Sequence, residues 1–148
     1  MTDYNKLCKQ LQSLTQGVPH TVANLANASA LLWERLPDLN WAGFYILKGD
    51  KLILGPFQGK IACIEIPLGK GVCGTAASCG KTVVVANVHE FDGHIACDSA
   101  SNSEIVIPLY VNNTLFGVLD IDSPIFNRFT EQDKLGLEQF AQILQSNL

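Results

Sequence analysis

The sequence predicts an α+β domain: a central antiparallel sheet of about six strands with N- and C-terminal helices packed outside it. Three observations predict it. Long helical periodicities of apolar residues fall at the two ends of the chain. Between them lie runs rich in β-branched and aromatic residues. Those runs follow one another directly instead of alternating with helices, which argues against parallel βαβ units.

Tyr4, Leu7, Cys8, Leu11 and Leu14 recur at helical spacing, and the pattern ends at Gly17 and Pro19. A second helix carries Val22, Leu25, Ala26, Leu32, Trp33 and Leu36 on one side and stops at Pro37. Residues 41–47, WAGFYIL, then read as a strand buried on both faces. Gly49-Asp50 turns the chain into a hairpin partner at 51–54. A third strand is predicted at 61–66, a short helix at 75–78 among Gly69, Gly71 and Gly74, and a fourth strand at 82–85. Residues 88–103 form a polar loop of about 16 residues, a length that is often functional. Strands at 104–111 and 115–121 flank Asn112-Asn113. Thr130-x-x-Asp133 resembles a capping box and opens a last helix with Leu137, Phe140, Ala141 and Leu144 inward. Strands this apolar predict a sheet covered by helices on one face and by loops and a pocket on the other.

Length and composition agree with one domain over residues 1–148. Hydrophobic residues make up 47% of the chain and charged residues 16%, which excludes a disordered segment. No apolar run approaches the roughly 18 residues of a membrane span. The start, MTDYNKLCKQ, lacks the basic and apolar regions of a signal peptide. A net charge of −4 argues against a protein that grips nucleic acid. Five cysteines without a secretion signal make a poor disulfide framework and point to thiols in a reducing cytoplasm.

Some of those thiols are candidates for chemistry. Cys8 and Cys79 sit in helical or small-residue contexts and read as packing. Cys97 lies in the polar loop between His94 and Asp98, where reactive thiols occur, although a buried apolar role is an equal reading. Cys63, Cys73, Cys97, His89 and His94 could supply zinc ligands, but there is no CxxC, and the one local pair, His89 with His94, is weak support for a metal site. Asp120 and Asp122, two apart on one strand, point to one sheet face. A plain two-residue turn at Asn112-Asn113 sets Glu104 opposite Ile121 and away from them. An odd connection or a bulge sets Glu104 opposite Asp122, and this register is expected if the three acids form one site. Trp41 and Tyr45 share a face as well, either as plain core or as a pocket wall with an open gap at Gly43.

WAGFYIL, GPFQGKIACIEI, GKGVCGTA, HEFDGHIACDSASNSEIVIPL and FGVLDIDS together resemble the free methionine-(R)-sulfoxide reductases, single-domain enzymes on a GAF fold. The resemblance covers the chain from about residue 22 to the last helix. It implies that Cys97, in GHIACD, is the nucleophile and that Cys63, in GKIAC, is the resolving thiol. Cys73, in GVCG, stands as an alternate resolver, and the choice between the two is open. It places Glu104, Asp120 and Asp122 as the acidic site residues and Trp41 and Tyr45 as the pocket aromatics. Ile95, Ala96 and Asp98 complete the substrate-binding set. It also implies no bound cofactor or metal, a thioredoxin-type dithiol as reductant, and a homodimer.

The implied chemistry has physical requirements. Thiolate attack on a sulfoxide sulfur needs a general acid for the departing oxygen; Glu104, Asp120 and Asp122 offer that acid, with Glu104 counted among the catalytic residues and the choice of donor open. The acids suit the substrate's ammonium group, and backbone N–H groups of residues 93–98 suit its carboxylate. A sulfenic acid on Cys97 must then meet Cys63, with Cα atoms within about 7 Å. The competing readings are a GAF-type ligand sensor without catalysis and a zinc-binding structural module.

Overall fold

In the computed structural model, which describes every residue except Ala96 and Asp98, both ends of the chain fold as helices. Asp3 caps α1 (Tyr4–Thr15) by accepting from the Lys6 amide at 3.1 Å, and Leu7, Cys8 and Leu11 face inward. In α2 (Thr21–Arg35), Leu25, Ala28, Leu31 and Leu32 are buried. Val22, Ala26 and Trp33, expected on that side, are exposed. Burial along α2 begins only at Asn24, and Trp33 is turned about 100° from Leu32. At the other end, Thr130 and Asp133 form both bonds of a capping box at the start of α4 (Glu131–Ser146). Asp133 also accepts from the Tyr4 hydroxyl at 2.6 Å and from Arg128 at 3.1 Å, which ties α1 to α4.

Among the described residues the strands are β1 (Trp41–Lys48), β2 (Lys51–Gly59), β3 (Glu65–Pro67), β4 (Val83–Val85), β5 (Ser103–Val111) and β6 (Thr114–Ser123). They pair antiparallel in one sheet, in the order β3-β2-β1-β6-β5-β4. Between β3 and β4, α3 (Gly71–Cys79) is longer than the predicted 75–78. Ala42, Phe44, Ile105, Ile107, Leu119 and Ile121 point to the face covered by α1, α2 and α4. Trp41, Tyr45, Val106 and Val118 point to the other face, where α3 packs with Val72, Cys73, Ala76 and Ala77. Each central strand is therefore buried on both sides, which explains its near-continuous apolar sequence.

Two predicted strand bounds are corrected. β2 does not stop at residue 54 but follows β1 to Gly59, across an irregularity between Gly43 and Tyr45. The third strand is not 61–66: β3 pairs only with Lys51, Leu52 and Ile53. Because β2 and β3 run antiparallel, chain leaving the far end of β2 has to come back along it before it can pair there. Residues 60–64 make that return, held by the Trp41 indole N–H on the Lys60 carbonyl (3.1 Å), the Tyr45 hydroxyl on the Cys63 carbonyl (2.8 Å) and the Leu54 amide on the Ile64 carbonyl (2.9 Å).

The β5–β6 register is the odd one. Asn112 and Asn113, both at positive φ, make the two-residue turn and pair Val111 with Thr114. An irregularity between Leu109 and Tyr110 then pairs Leu109 with Gly117, and every later pair follows, so Glu104 lies opposite Asp122. The gap expected at Gly43 is not open. A Cβ built there would run into the Phe57 Cβ and the β2 backbone beside it, because Phe57 fills the space and stacks on Trp41 at 5.0 Å. Gly43→Ala is expected to push Phe57 off Trp41 and destabilise the fold by about 1–3 kcal/mol, read as a lower urea midpoint.

Candidate active site

Sheet register builds the site row by row on the face away from the long helices. Trp41 pairs with Asp122, and Asp122 with Glu104, in one row across three strands. The next row on the same face holds Gly43, Asp120 and Val106, and the one after it begins with Tyr45 and Val118. Three carboxyls and two aromatics that are far apart in the chain thus share one small area. α3 roofs it with Cys73, whose Sγ is 4.0 Å from Glu104 Oε2. The loop after β4 closes the side with His94, Ile95 and Cys97. His94 Nε2 stands 4.0 Å from Glu104 Oε1.

Cys97 is joined to Cys63 by a disulfide, with Cα atoms 5.5 Å apart, inside the expected 7 Å. The bridge links the loop after β4 to the return segment 60–64. With it in place the pocket is a cavity of about 30 Å³, room for roughly two waters.

Glu104 and Asp120 are each only 6% exposed. Burial and the neighbouring Asp122 push the Glu104 carboxyl well above the ordinary carboxylate range. Burial and Glu104 do the same to Asp120, and burial and Asp120 to Asp122. Asp122 accepts from the Ser101 hydroxyl at 2.9 Å. For Asp120 Oδ1 and Asp122 Oδ1 the described residues offer no donor other than a neighbouring carboxyl's own proton. The trio therefore titrates as a coupled unit, each carboxyl holding its proton more tightly than an ordinary acid. Burial, then Asp120, raises the Cys73 thiol, and the same two causes raise the Tyr45 hydroxyl. His94 is lowered by burial and by His89, so it brings little positive charge at neutral pH.

Of the residues singled out in the sequence, Trp41, Tyr45, Cys73, Ile95, Cys97, Glu104, Asp120 and Asp122 line this pocket, and Cys63 reaches it through the bridge. Ala96 and Asp98 lie outside the described residues. Cys8 packs in the core, but Cys79 does not: it is exposed at the end of α3, where Gly80 turns the chain away at positive φ. The five residues weighed as zinc ligands are not assembled, since Cys63 and Cys97 bind each other and His89 Nε2 bonds Asn102 Oδ1 at 2.8 Å. A different trio, Cys73, Glu104 and Asp120, has ligand atoms within 4.8 Å of one another, close enough to hold a cation. Ser101 and Phe57 were missed. Ser101 carries no spacing signal, and Phe57 is placed by the β1–β2 irregularity.

A GAF domain family model matches residues 10–148. The free methionine-R-sulfoxide reductase of Escherichia coli (strain K12) is 57% identical over 145 residues, 98% of this chain and 88% of that protein. That of Saccharomyces cerevisiae is 44% identical, over 96% of this chain and 83% of that protein. The structure of reduced fRMsr from Staphylococcus aureus superposes with a TM-score of 0.98 at 53% identity, over 100% of this chain and 96% of that one. A free methionine-R-sulfoxide reductase from Neisseria meningitidis, solved with its substrate, gives 0.94 at 44% identity, over 97% and 87%. The chain therefore belongs to the GAF domain family and, within it, to the free methionine-R-sulfoxide reductases.

Proposed function

We propose that residues 1–148 act as one GAF domain that reduces free methionine-(R)-sulfoxide with Cys97 as nucleophile, Cys63 as resolving thiol and a thioredoxin-type dithiol as reductant. The setting is a reducing cytoplasm, and the homodimer implied by the resemblance would have to leave the Cys63–Cys97 rim open. One observation carries the reading: a Cys63–Cys97 disulfide borders a pocket floored by three crowded carboxyls, Glu104 and Asp120 buried and Asp122 half-buried, and walled by Trp41 and Tyr45.

The cycle starts from the reduced protein, because a 30 Å³ cavity does not admit an amino acid. The Cys97 thiolate attacks the sulfoxide sulfur while a protonated carboxyl, assigned to Glu104, gives its proton to the oxygen. The protonated oxygen then moves from the substrate sulfur to Cys97 Sγ as the new S–S bond breaks, so methionine leaves and Cys97 becomes a sulfenic acid. The Cys63 thiol condenses with it, water departs and the disulfide forms. Crowded anions would hinder ionisation of a nearby thiol, but carboxyls that keep their protons do not, so the pKa pattern favours both halves of the step. The substrate's ammonium then faces Asp120 and Asp122, and its methyl end lies on Trp41 and Tyr45. Ile95 and the neighbouring loop amides are assigned to its carboxylate. In the disulfide state the His94 and Cys97 amides donate to the Phe91 and Ile95 carbonyls, so that loop must rearrange as the bridge opens. Cys73 lies beside Glu104 with a raised thiol, which suits a reserve resolver better than a first nucleophile.

Cys97→Ser is expected to abolish methionine formation in a single turnover. Cys63→Ser should keep that turnover and stop thioredoxin-driven cycling, with normal cycling reassigning the resolver to another thiol. Glu104→Gln should lower kcat by about 10²–10⁴-fold with little change in KM, and a pure KM effect would make Glu104 a binding group. The acids also set the pH dependence of stability. A carboxyl whose pKa is raised by folding binds more protons in the native state, so the fold strengthens as pH falls from the folded value toward the unfolded value near 4. Thermal melts of the wild type should therefore rise between about pH 8 and pH 5, and Asp120→Asn should melt higher at pH 8 with a flatter profile.

A further inference from the structure

We infer that Ile61 and Ile64, exposed on either side of Cys63, form the docking surface for the protein dithiol that re-reduces the Cys63–Cys97 bridge; this rests on reading the bridge as a step of turnover.

Ile61 is 91% exposed and Ile64 69%. Met1 apart, Ile61 is the most exposed large apolar side chain among the described residues. The fold makes no use of either side chain. The return segment is held through its backbone, by the Trp41 indole on the Lys60 carbonyl, the Tyr45 hydroxyl on the Cys63 carbonyl and the Leu54 amide on the Ile64 carbonyl. Ile66, two residues on, is buried in the site-side core. Two isoleucines are thus fixed outward on a pinned strip, one and two residues from a disulfide sulfur.

The chemistry of the bridge selects the occupant. Exchange requires an incoming thiolate to reach bonding distance of one sulfur. The surface that carries this thiolate must therefore cover the chain next to Cys63. Attack on the Cys63 sulfur leaves Cys97 as a thiolate, ready for the next sulfoxide, and joins the partner to Cys63 in a mixed disulfide. The partner's second thiol then attacks its own sulfur in that bond and frees the Cys63 thiolate. The bridge gains two electrons and the partner leaves as a disulfide. A second copy of this chain lying permanently over Ile61 and Ile64 would shut out the reductant that every turnover needs. A small, transient contact with a Cys-x-x-Cys protein suits the patch, and redox partners commonly meet over such limited areas.

The test compares two reductants on the double variant Ile61→Asp/Ile64→Asp, using thioredoxin and dithiothreitol at saturating methionine sulfoxide. A small dithiol needs no docking surface. The expected result is a loss of roughly tenfold or more in kcat/KM for thioredoxin, with dithiothreitol-driven turnover within about twofold of wild type. Unchanged thioredoxin kinetics would overturn the docking surface while leaving the reductant assignment standing. An equal fall with both reductants would overturn it too, as damage to the bridge itself. Wild-type protein that cycles with dithiothreitol but not with thioredoxin would remove the reductant assignment and this surface with it. Conversion of a dimer to a monomer by the double variant in sedimentation, with thioredoxin kinetics kept, would make the patch a self-association surface and end the proposal.

Discussion

The row Trp41–Asp122–Glu104 is the constraint on which the site depends. Side chains alternate along a strand, so a slip of one residue between β5 and β6 would turn Glu104 toward the helices. It would put a carboxyl among Ile105, Ile107 and Leu119 and move an isoleucine into the pocket. The apolar face under α1, α2 and α4 forbids that slip, and the irregularity at Leu109/Tyr110 adjusts the short turn to the register the core demands. The acidic floor is thus held in place by hydrophobic packing on the opposite side of the sheet.

That arrangement runs against stability locally. Three carboxyls held together out of water raise one another, and each raised group weakens the fold at neutral pH. The helix side supplies the opposing contribution. Its core joins both chain ends to the sheet, and the Tyr4–Asp133–Arg128 cluster fastens α1 to α4. Asp133 is the contrasting acid. Burial raises it, but the Tyr4 hydroxyl and the Thr130 amide outweigh that and hold it below the ordinary range. Fully partnered, it is stabilising at neutral pH and loses that contribution only as the pH falls through its lowered pKa. The same residue type contributes with opposite sign according to whether its neighbours are donors or other acids.

Much of this was legible in the sequence because it is periodic. Helical spacing ended by Gly and Pro marked α1 and α2, a capping box marked α4, and apolar runs marked the central strands. Parity put Asp120 with Asp122 and Trp41 with Tyr45. What periodicity does not carry is the place of an irregularity. The register of Glu104 was one of two alternatives until the Leu109/Tyr110 step chose it. The β1–β2 irregularity likewise brought Phe57 into the space expected at Gly43 and carried β2 on to Gly59, leaving 60–64 outside the sheet. An apolar segment such as IACIEI reads as a strand by composition, yet its role is set by which neighbour it can reach. Ser101 illustrates the remaining limit: its contact with Asp122 is fixed only when the loop after β4 folds back over the sheet.

The return segment and the loop after β4 also impose an order on events. In the proposed cycle both reductant and substrate need Cys97, one from outside through Cys63 and the other from inside the pocket. While the bridge exists, the cavity is about 30 Å³ and the His94 and Cys97 amides are committed to the loop's own carbonyls. Substrate therefore has no place until the bridge is broken. Once it is broken, the reductant has no disulfide to attack until the substrate has been turned over. The two ligands alternate because one covalent bond both occupies the nucleophile and closes the pocket. In that cycle no separate lid is required, because the bond to Cys63 itself ties down the loop that carries Cys97.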